Sequence, residues 1–193
     1  MNKPIPLIPP EILRRAEQLA AWRGFWSPGG LELTHSIAAA MSLPPGATVL
    51  DAGCGSGEGS VYLADQFQWA VTAVDTDDFG LALAQDKAKQ PGLKLGTLNA
   101  DIRSLPLGNA TFDGLFSQGT FFMMGRDRAR TLQEWQRVLK SGGILGIGEP
   151  MLRRPGNSLH SPTQITLDET KALLENAFRS SETRSIPVIR RRS

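Results

Sequence analysis

The sequence predicts an α/β fold, a doubly wound and mostly parallel sheet within a single domain. From about residue 46 onward, short apolar runs alternate with segments of helical periodicity, which is typical of a parallel sheet covered by helices on both faces. A glycine-rich loop follows the first apolar run, at a strand end where such sheets bind ligands. The 193 residues, of which 40% are hydrophobic, are enough to bury one complete core.

Two helices are predicted ahead of this alternation. Residues 11–24 repeat apolar side chains along one helical face, and the segment LELTHSIAAAMSL follows the break SPGG as a second helix. The run Pro44, Pro45, Gly46 ends this second helix, because two prolines and a glycine cannot continue it.

The alternating part of the chain begins after Gly46. Five apolar runs predict the strands of the sheet: TVLDAG, WAVTAVD, LKLGTLNA, TFDGLFSQ and GILGIGEP. Four further segments predict helices: EGSVYLADQ, DFGLALAQDKAK, RDRARTLQEWQRVLK and TLDETKALLENAF. We expect the third of these helices to end at Ser141 and Gly142, with glycine as its C-cap. The segment TRSIPVI predicts a last strand, which Pro187 confines to an edge or a bulge.

Composition excludes several classes of protein. The single cysteine, Cys54, rules out an internal disulfide framework and a cysteine-rich metal cage, so we expect no metal. No apolar run approaches the length of a membrane span, and the proline-rich start does not resemble a signal peptide, so we expect a cytoplasmic protein without a membrane partner. The net charge of +2 and late arginines without interleaved aromatic residues disfavour a nucleic-acid partner.

The loop VLDAGCGSGEGS raises the question of what approaches the backbone so closely. Its glycines do not follow the G-x-G-x-x-G spacing of dinucleotide-binding loops, because Glu58 occupies the sixth position counted from Gly53. Glu58 and Asp51 place negative charge at the start of a helix that would otherwise attract a pyrophosphate. The loop therefore favours a ligand with a cationic portion over a diphosphate.

The segment VLDAGCGSGEG resembles motif I of the class I S-adenosylmethionine-dependent methyltransferases, which have a Rossmann-like sheet. The similarity extends through NADIRSLPLGNATFDGLFS and VLKSGGILGI and covers roughly residues 46–149. It implies that Asp75 accepts hydrogen bonds from the ribose hydroxyls of the cofactor. It also implies that Asp101 accepts from the adenine amino group and that Ile102 offers its N–H and an apolar surface to the ring, whereas Asp113 is structural.

The resemblance thus implies S-adenosylmethionine as the cofactor and S-adenosylhomocysteine as its product. The residues expected to bind the cofactor are those of the loop and the strand ends: Asp51, Gly53, Gly55, Gly57, Asp75, Thr76, Asp101, Ile102 and Ser117.

The same resemblance divides the chain into three parts of one domain, residues 1–193. Residues 46–149 are the expected cofactor-binding core. Residues 1–45 are the expected helical lid, since FWSPGGLELT is similar to small-molecule methyltransferases of the quinone-biosynthesis type. Residues 150–193 form a shortened C-terminal part, with room for one helix and one strand. A sheet edge left open there would suit a homodimer.

The acceptor side of the site is less defined by sequence. Weak catalytic candidates are His35, Gln118 and Glu149, each of which also fits a purely structural role. Trp26, Phe121 and Phe122 are candidate substrate contacts, with core packing as the alternative. The apolar segment SQGTFFMM at the end of the fourth strand indicates a small, partly apolar methyl acceptor.

Two other functions remain compatible with some part of the pattern, and the glycine spacing disfavours a third. The end of the fourth strand carries no His or acid, which would suit a protein that binds S-adenosylmethionine with little or no turnover. Late arginines would suit RNA or protein methylation. A nicotinamide oxidoreductase would need a different glycine spacing.

Overall fold

The computed structural model describes residues 29–89, 92–149, 167–178 and 184–185. The predicted helix at residues 11–24 and the position of Trp26 lie outside these ranges. Elements of the first half are α1 (Gly30–Met41), β1 (Thr48–Ala52), α2 (Glu58–Gln66), β2 (Ala70–Asp75), α3 (Asp78–Ala88) and β3 (Leu95–Asn99). Elements of the second half are β4 (Phe112–Gln118), a 3-10 helix (Phe121–Asp127), α4 (Arg128–Val138), β5 (Leu139–Gly148), α5 (Leu167–Phe178) and β6 (Arg184–Ser185).

The strands form one sheet in the order β3-β2-β1-β4-β5-β6, and every described pairing is parallel. This confirms the predicted fold class. Strand order reverses between β1 and β4, because the chain winds outward from β1 to β3 and then returns to β4 beside β1. A crevice at the carboxyl ends of the strands opens at such a reversal.

Both faces of the sheet are covered. On one face Leu115 of β4 packs with Trp135 of α4 and Leu174 of α5 in a buried cluster. On the other face Phe116 of β4 packs with Ile37 of α1 and Leu63 of α2. Successive residues of β4 therefore bury on opposite faces, which is why its sequence is nearly continuously apolar.

The end of α4 differs from the sequence prediction. The helix stops at Val138 rather than at Ser141 and Gly142, because Leu139 adopts extended angles (φ −74, ψ 139) and pairs with Phe112 of β4. Leu139 is buried there, so strand pairing outweighs the helical periodicity. Gly142 lies where the register of β4 and β5 shifts. Its φ of +75 therefore belongs to an irregularity within β5 and not to a helix C-cap.

None of the helices in the described ranges is long and apolar enough to cross a membrane.

Candidate functional site

A cleft of about 400 Å³ lies over the carboxyl ends of β1, β2, β3 and β4. Its volume falls in the range usual for small-molecule sites. Six of the predicted cofactor residues line it, namely Gly53, Gly55, Asp75, Thr76, Asp101 and Ile102. Three others, Asp51, Gly57 and Ser117, do not line it.

Three of the four glycines of the loop, Gly53, Gly55 and Gly57, serve different purposes. A Cβ built on Gly53 would lie 2.2 Å from the Thr120 hydroxyl oxygen, and one on Gly57 would lie 2.6 Å from the Ala84 Cβ on α3. A Cβ on Gly55 would meet no atom within 4 Å, although its φ is +52. Gly53 and Gly57 are therefore required by packing and backbone angle, whereas Gly55 faces the open cleft.

Asp75 holds this loop in place. Its Oδ2 accepts a hydrogen bond from the Gly55 N–H at 2.8 Å, and its Oδ1 accepts from the N–H groups of Thr76 (2.8 Å) and Asp77 (3.1 Å). A carboxylate offers about four acceptor positions. One of them is therefore left for a ligand hydroxyl, and a second hydroxyl would displace a backbone donor.

Asp51 lies beneath the loop, 3% exposed, and accepts a hydrogen bond of 2.5 Å from the Ser60 hydroxyl. Burial, with a smaller contribution from the nearby Asp75, raises the pKa of Asp51 to about 7 against the opposing effect of the Ser60 hydrogen bond. Cys54, which does line the cleft, has a thiol whose pKa is raised by burial and by nearby carboxylates, so the thiol stays protonated.

Glu58 lines the cleft but does not face it as an unpaired charge. Lys87 of α3 lies 2.5 Å from its Oε1, and the Ser56 hydroxyl donates to its Oε2 at 2.7 Å. Lys87 neutralises the carboxylate, so Glu58 repels a diphosphate less than the sequence alone predicts. The sequence pattern gave no sign of this ion pair.

The far end of the cleft carries a charged triad. Arg103 contacts Asp101 at 2.6 Å and Asp127 at 2.9 Å, which links the loop after β3 to the end of the 3-10 helix. The hydrogen bonds from Arg103 lower the pKa of Asp101, which therefore stays ionised. Ile102 is buried except for its part in the cleft wall, and its carbonyl accepts from the Trp135 indole at 3.2 Å.

Gln118, at the end of β4, lines the cleft and forms hydrogen bonds with α1. The Thr34 hydroxyl donates to its Oε1 at 2.7 Å, and its Nε2 donates to the Gly30 carbonyl at 3.1 Å. Ser117 is fully buried, and its Oγ has no hydrogen-bond partner in the described part of the chain.

The other two catalytic candidates are engaged elsewhere. Glu149 accepts from the N–H groups of Thr120, Phe121 and Phe122 at 2.9–3.1 Å and so caps the start of the 3-10 helix. Burial raises the pKa of Glu149 to about 7, although these hydrogen bonds and Arg128 oppose the shift. His35 contacts the Tyr62 hydroxyl at 2.9 Å on the α1–α2 surface, and neither residue belongs to the cleft lining.

Two of the predicted aromatic contacts, Phe121 and Phe122, are likewise placed apart from the cleft, and Trp26 lies outside the described residues. Phe121 has no exposed surface and stacks at 5.5 Å on Trp135 in the core. Phe122 is partly buried and does not line the cleft. The apolar wall is instead formed by Met123 and Met124, of which Met123 is 55% exposed.

The residues present fit S-adenosylmethionine. Three carboxylates and one guanidinium line the described cleft, from Glu58, Asp75, Asp101 and Arg103. Because Lys87 neutralises Glu58 and Arg103 pairs with Asp101, Asp75 supplies the remaining negative charge of this lining, which suits a ligand that carries positive charge better than a diphosphate. The open space over Gly55, which any side chain would fill, gives such a ligand direct access to the loop backbone.

Comparison with known proteins agrees with this geometry. The chain matches the family described as "Methyltransferase domain" over residues 50–147. It is 31% identical to the uncharacterized methyltransferase YodH of Bacillus subtilis over 66% of this chain and 54% of YodH. Other relatives of similar identity are named as O-methyltransferases and phosphoethanolamine N-methyltransferases. The chain spans about half the length of YodH and about a quarter of the length of the phosphoethanolamine enzymes.

Two solved structures show the same architecture. A SAM-dependent methyltransferase from Aquifex aeolicus matches with a TM-score of 0.66 and 26% identity, over 84% of this chain and 87% of that one. The [4+2]-cyclase SpnF matches with a TM-score of 0.67 and 25% identity, over 86% and 68%. The match to the domain family over half of the chain, together with the parallel sheet and its acidic cleft, places the chain in the S-adenosylmethionine-dependent methyltransferase family.

Proposed function

We propose that the chain binds S-adenosylmethionine in the cleft and catalyses methyl transfer to a small, partly apolar acceptor. The observation that carries the proposal is the open space over Gly55, beside Asp75 and within the acidic cleft. The cofactor, when bound, supplies an activated methyl group on a sulfonium centre.

The chain's own residues would act mainly by positioning. Gly55 gives backbone access, Asp75 offers its remaining acceptor position to a ribose hydroxyl, and Asp101 with Ile102 forms the wall for the adenine ring. Holding two reactants in the right orientation lowers the free-energy barrier of the reaction by roughly 7–11 kcal/mol at best. Placing the acceptor correctly is therefore the main task of this site.

The carboxylates that line the described cleft are each engaged, Glu58 by Lys87, Asp101 by Arg103 and Asp75 by backbone N–H groups, and the two candidate bases from the sequence are not placed to remove a proton. Glu149 is committed to three backbone N–H groups, and His35 lies against Tyr62, away from the cleft. A general base is needed only for an acceptor that must lose a proton before or during transfer. The arrangement therefore favours an acceptor that is already nucleophilic.

Met123 and Met124 support an acceptor with an apolar part. Their flexible thioether side chains form the wall beside Gln118, whose amide is itself held by Thr34 and Gly30. Relatives named as O-methyltransferases are compatible with a small acceptor. A homodimer and a cytoplasmic location stay predictions from the sequence.

The proposal is tested with S-adenosylmethionine labelled in its methyl group and a fractionated cell extract. We expect label in the low-molecular-weight fraction, dependent on the protein and absent with the Gly55→Val variant. Label confined to RNA or protein would overturn the small acceptor. Cofactor binding without any transfer of label would instead support a binding protein without turnover.

A further inference from the structure

Lys87 of α3 reaches the glycine loop with its ammonium group. Its Nζ donates to the Ser56 carbonyl at 2.6 Å and contacts Glu58 Oε1 at 2.5 Å. The Lys87 and Glu58 side chains are only 16% and 10% exposed, so their pairing is shielded from solvent. An ion pair with this degree of burial is screened far less by salt than a surface pair.

The pair places one neutralised acid in the wall of the cleft. Glu58 belongs to the cleft lining, and Lys87 stands behind it. Asp75 lines the same cleft, and the hydrogen bonds described for it come from backbone N–H groups rather than from a cation. The charge at the loop end of the cleft therefore depends on whether Lys87 is present.

We propose that Lys87 is a positioning residue that sets the preference of the cleft between S-adenosylmethionine and S-adenosylhomocysteine. The inference rests on the proposed function. The two ligands differ by one methyl group and one positive charge, because transfer turns a sulfonium into a neutral sulfide. A net charge on the Glu58–Lys87 pair would change the ratio of the two affinities, because the charges that both ligands share cancel in that ratio, whereas loosening of the loop would weaken both ligands together.

The proposal predicts shifts of opposite sign for the two partners. Lys87→Met leaves the Glu58 carboxylate unpaired, which should raise the affinity for the cationic ligand relative to the neutral one by about threefold. Glu58→Gln leaves Lys87 unpaired and should lower the same ratio by about threefold. The double variant removes both charges and should return the ratio to that of the unsubstituted protein.

The test is calorimetric titration of each protein with both ligands, at a pH well above the ordinary glutamate pKa. Lys89→Met is the matched control, since Lys89 caps the same helix, is 76% exposed and pairs only with Asp86 among the described residues. It should leave the ratio unchanged. Raising the salt concentration should reduce each shift only in part, because the pair is shielded.

Two results would overturn the inference. One is an unchanged ratio in both folded single variants, and the other is a shift of the same sign in both. The Glu58→Gln variant decides the matter by itself if Lys87→Met does not fold. Failure of the unsubstituted protein to bind either ligand would contradict the proposed function instead, so the two failures are distinguishable.

Discussion

The side chain of Thr120 occupies the space into which any side chain on Gly53 would project. The Thr120 hydroxyl donates to the Gly53 carbonyl at 3.3 Å, and its atoms would lie 2.2–2.7 Å from a Cβ on Gly53. Thr120 also donates its N–H to Glu149. The cofactor loop after β1 and the cleft wall after β4 are therefore fixed to each other through this contact.

Gly53→Ala should lower the free energy of unfolding by about 1–3 kcal/mol, since it adds both a clash and a residue at φ +83. Chemical denaturation measures the loss. Adding Thr120→Ala should recover the part of the clash due to Oγ1 and Cγ2, and leave the 2.7 Å contact with the Cβ of residue 120 and the part due to the backbone angle. A Gly53→Ala protein as stable as the unsubstituted one would contradict the packing role.

Gly55→Val should abolish cofactor binding and leave a folded protein, because its side chain would fill the cleft without meeting another residue. Gly46→Val is the matched control. Gly46 also has a positive φ, and a Cβ built on it would meet no atom within 4 Å. It precedes the amino-terminal end of β1, whereas the cleft lies at the carboxyl ends of the strands. Calorimetry with S-adenosylhomocysteine should show binding only in the control. Equal affinity in both variants would refute the role of Gly55.

Asp75→Ala should weaken cofactor binding by about 1–3 kcal/mol, the range for hydrogen bonds to a charged group, and it also releases the Gly55 N–H. Asp113→Ala is the control. Asp113 is the second residue of β4, at the amino-terminal ends of the central strands, where it binds Thr48 and Lys140. Its loss should reduce stability and leave affinity unchanged. Equal effects of the two substitutions on affinity would contradict this assignment.

Asp51 should make the protein less stable as the pH rises from about 4 to about 7. The unfolded chain loses this proton near pH 3.8, whereas burial keeps it on the folded chain until about pH 7. The folded state therefore binds more protons in this window, and the free energy of unfolding falls as the pH rises through it.

Asp51→Asn keeps an acceptor for Ser60 and cannot ionise, so the fall with pH should be smaller. Urea denaturation at several pH values in the window measures it. Burial also raises the pKa of Glu149 to about 7, so Glu149 keeps its own contribution to the pH dependence of stability in this variant. An unchanged slope in Asp51→Asn would show that Asp51 ionises normally in the fold.

Local signals in the sequence were enough for much of the fold. The segment EGSVYLADQ was predicted as a helix, and α2 spans the same residues, Glu58–Gln66, because the glycine loop on one side sets its start. β1, β2, β3 and β4 also lie within their predicted segments. The 3-10 helix at Phe121–Asp127 was missed, since its apolar side chains have no regular period.

Contacts between distant segments could not be predicted from one sequence. Spacing alone does not separate the glycines required by Thr120 and Ala84 from Gly55, which faces the cleft. Lys87 pairs with Glu58 across 29 residues, and no motif joins them. Glu149 was a candidate base by its place at a strand end, but only the structure shows the three N–H groups that it caps.

Calorimetric titration of the unsubstituted protein with S-adenosylmethionine, S-adenosylhomocysteine and NADH tests the central claim most directly. The acidic cleft and the open space over Gly55 predict that the first two ligands bind at one site and displace each other, while NADH does not compete. Tighter binding of NADH than of either sulfur ligand would contradict the account.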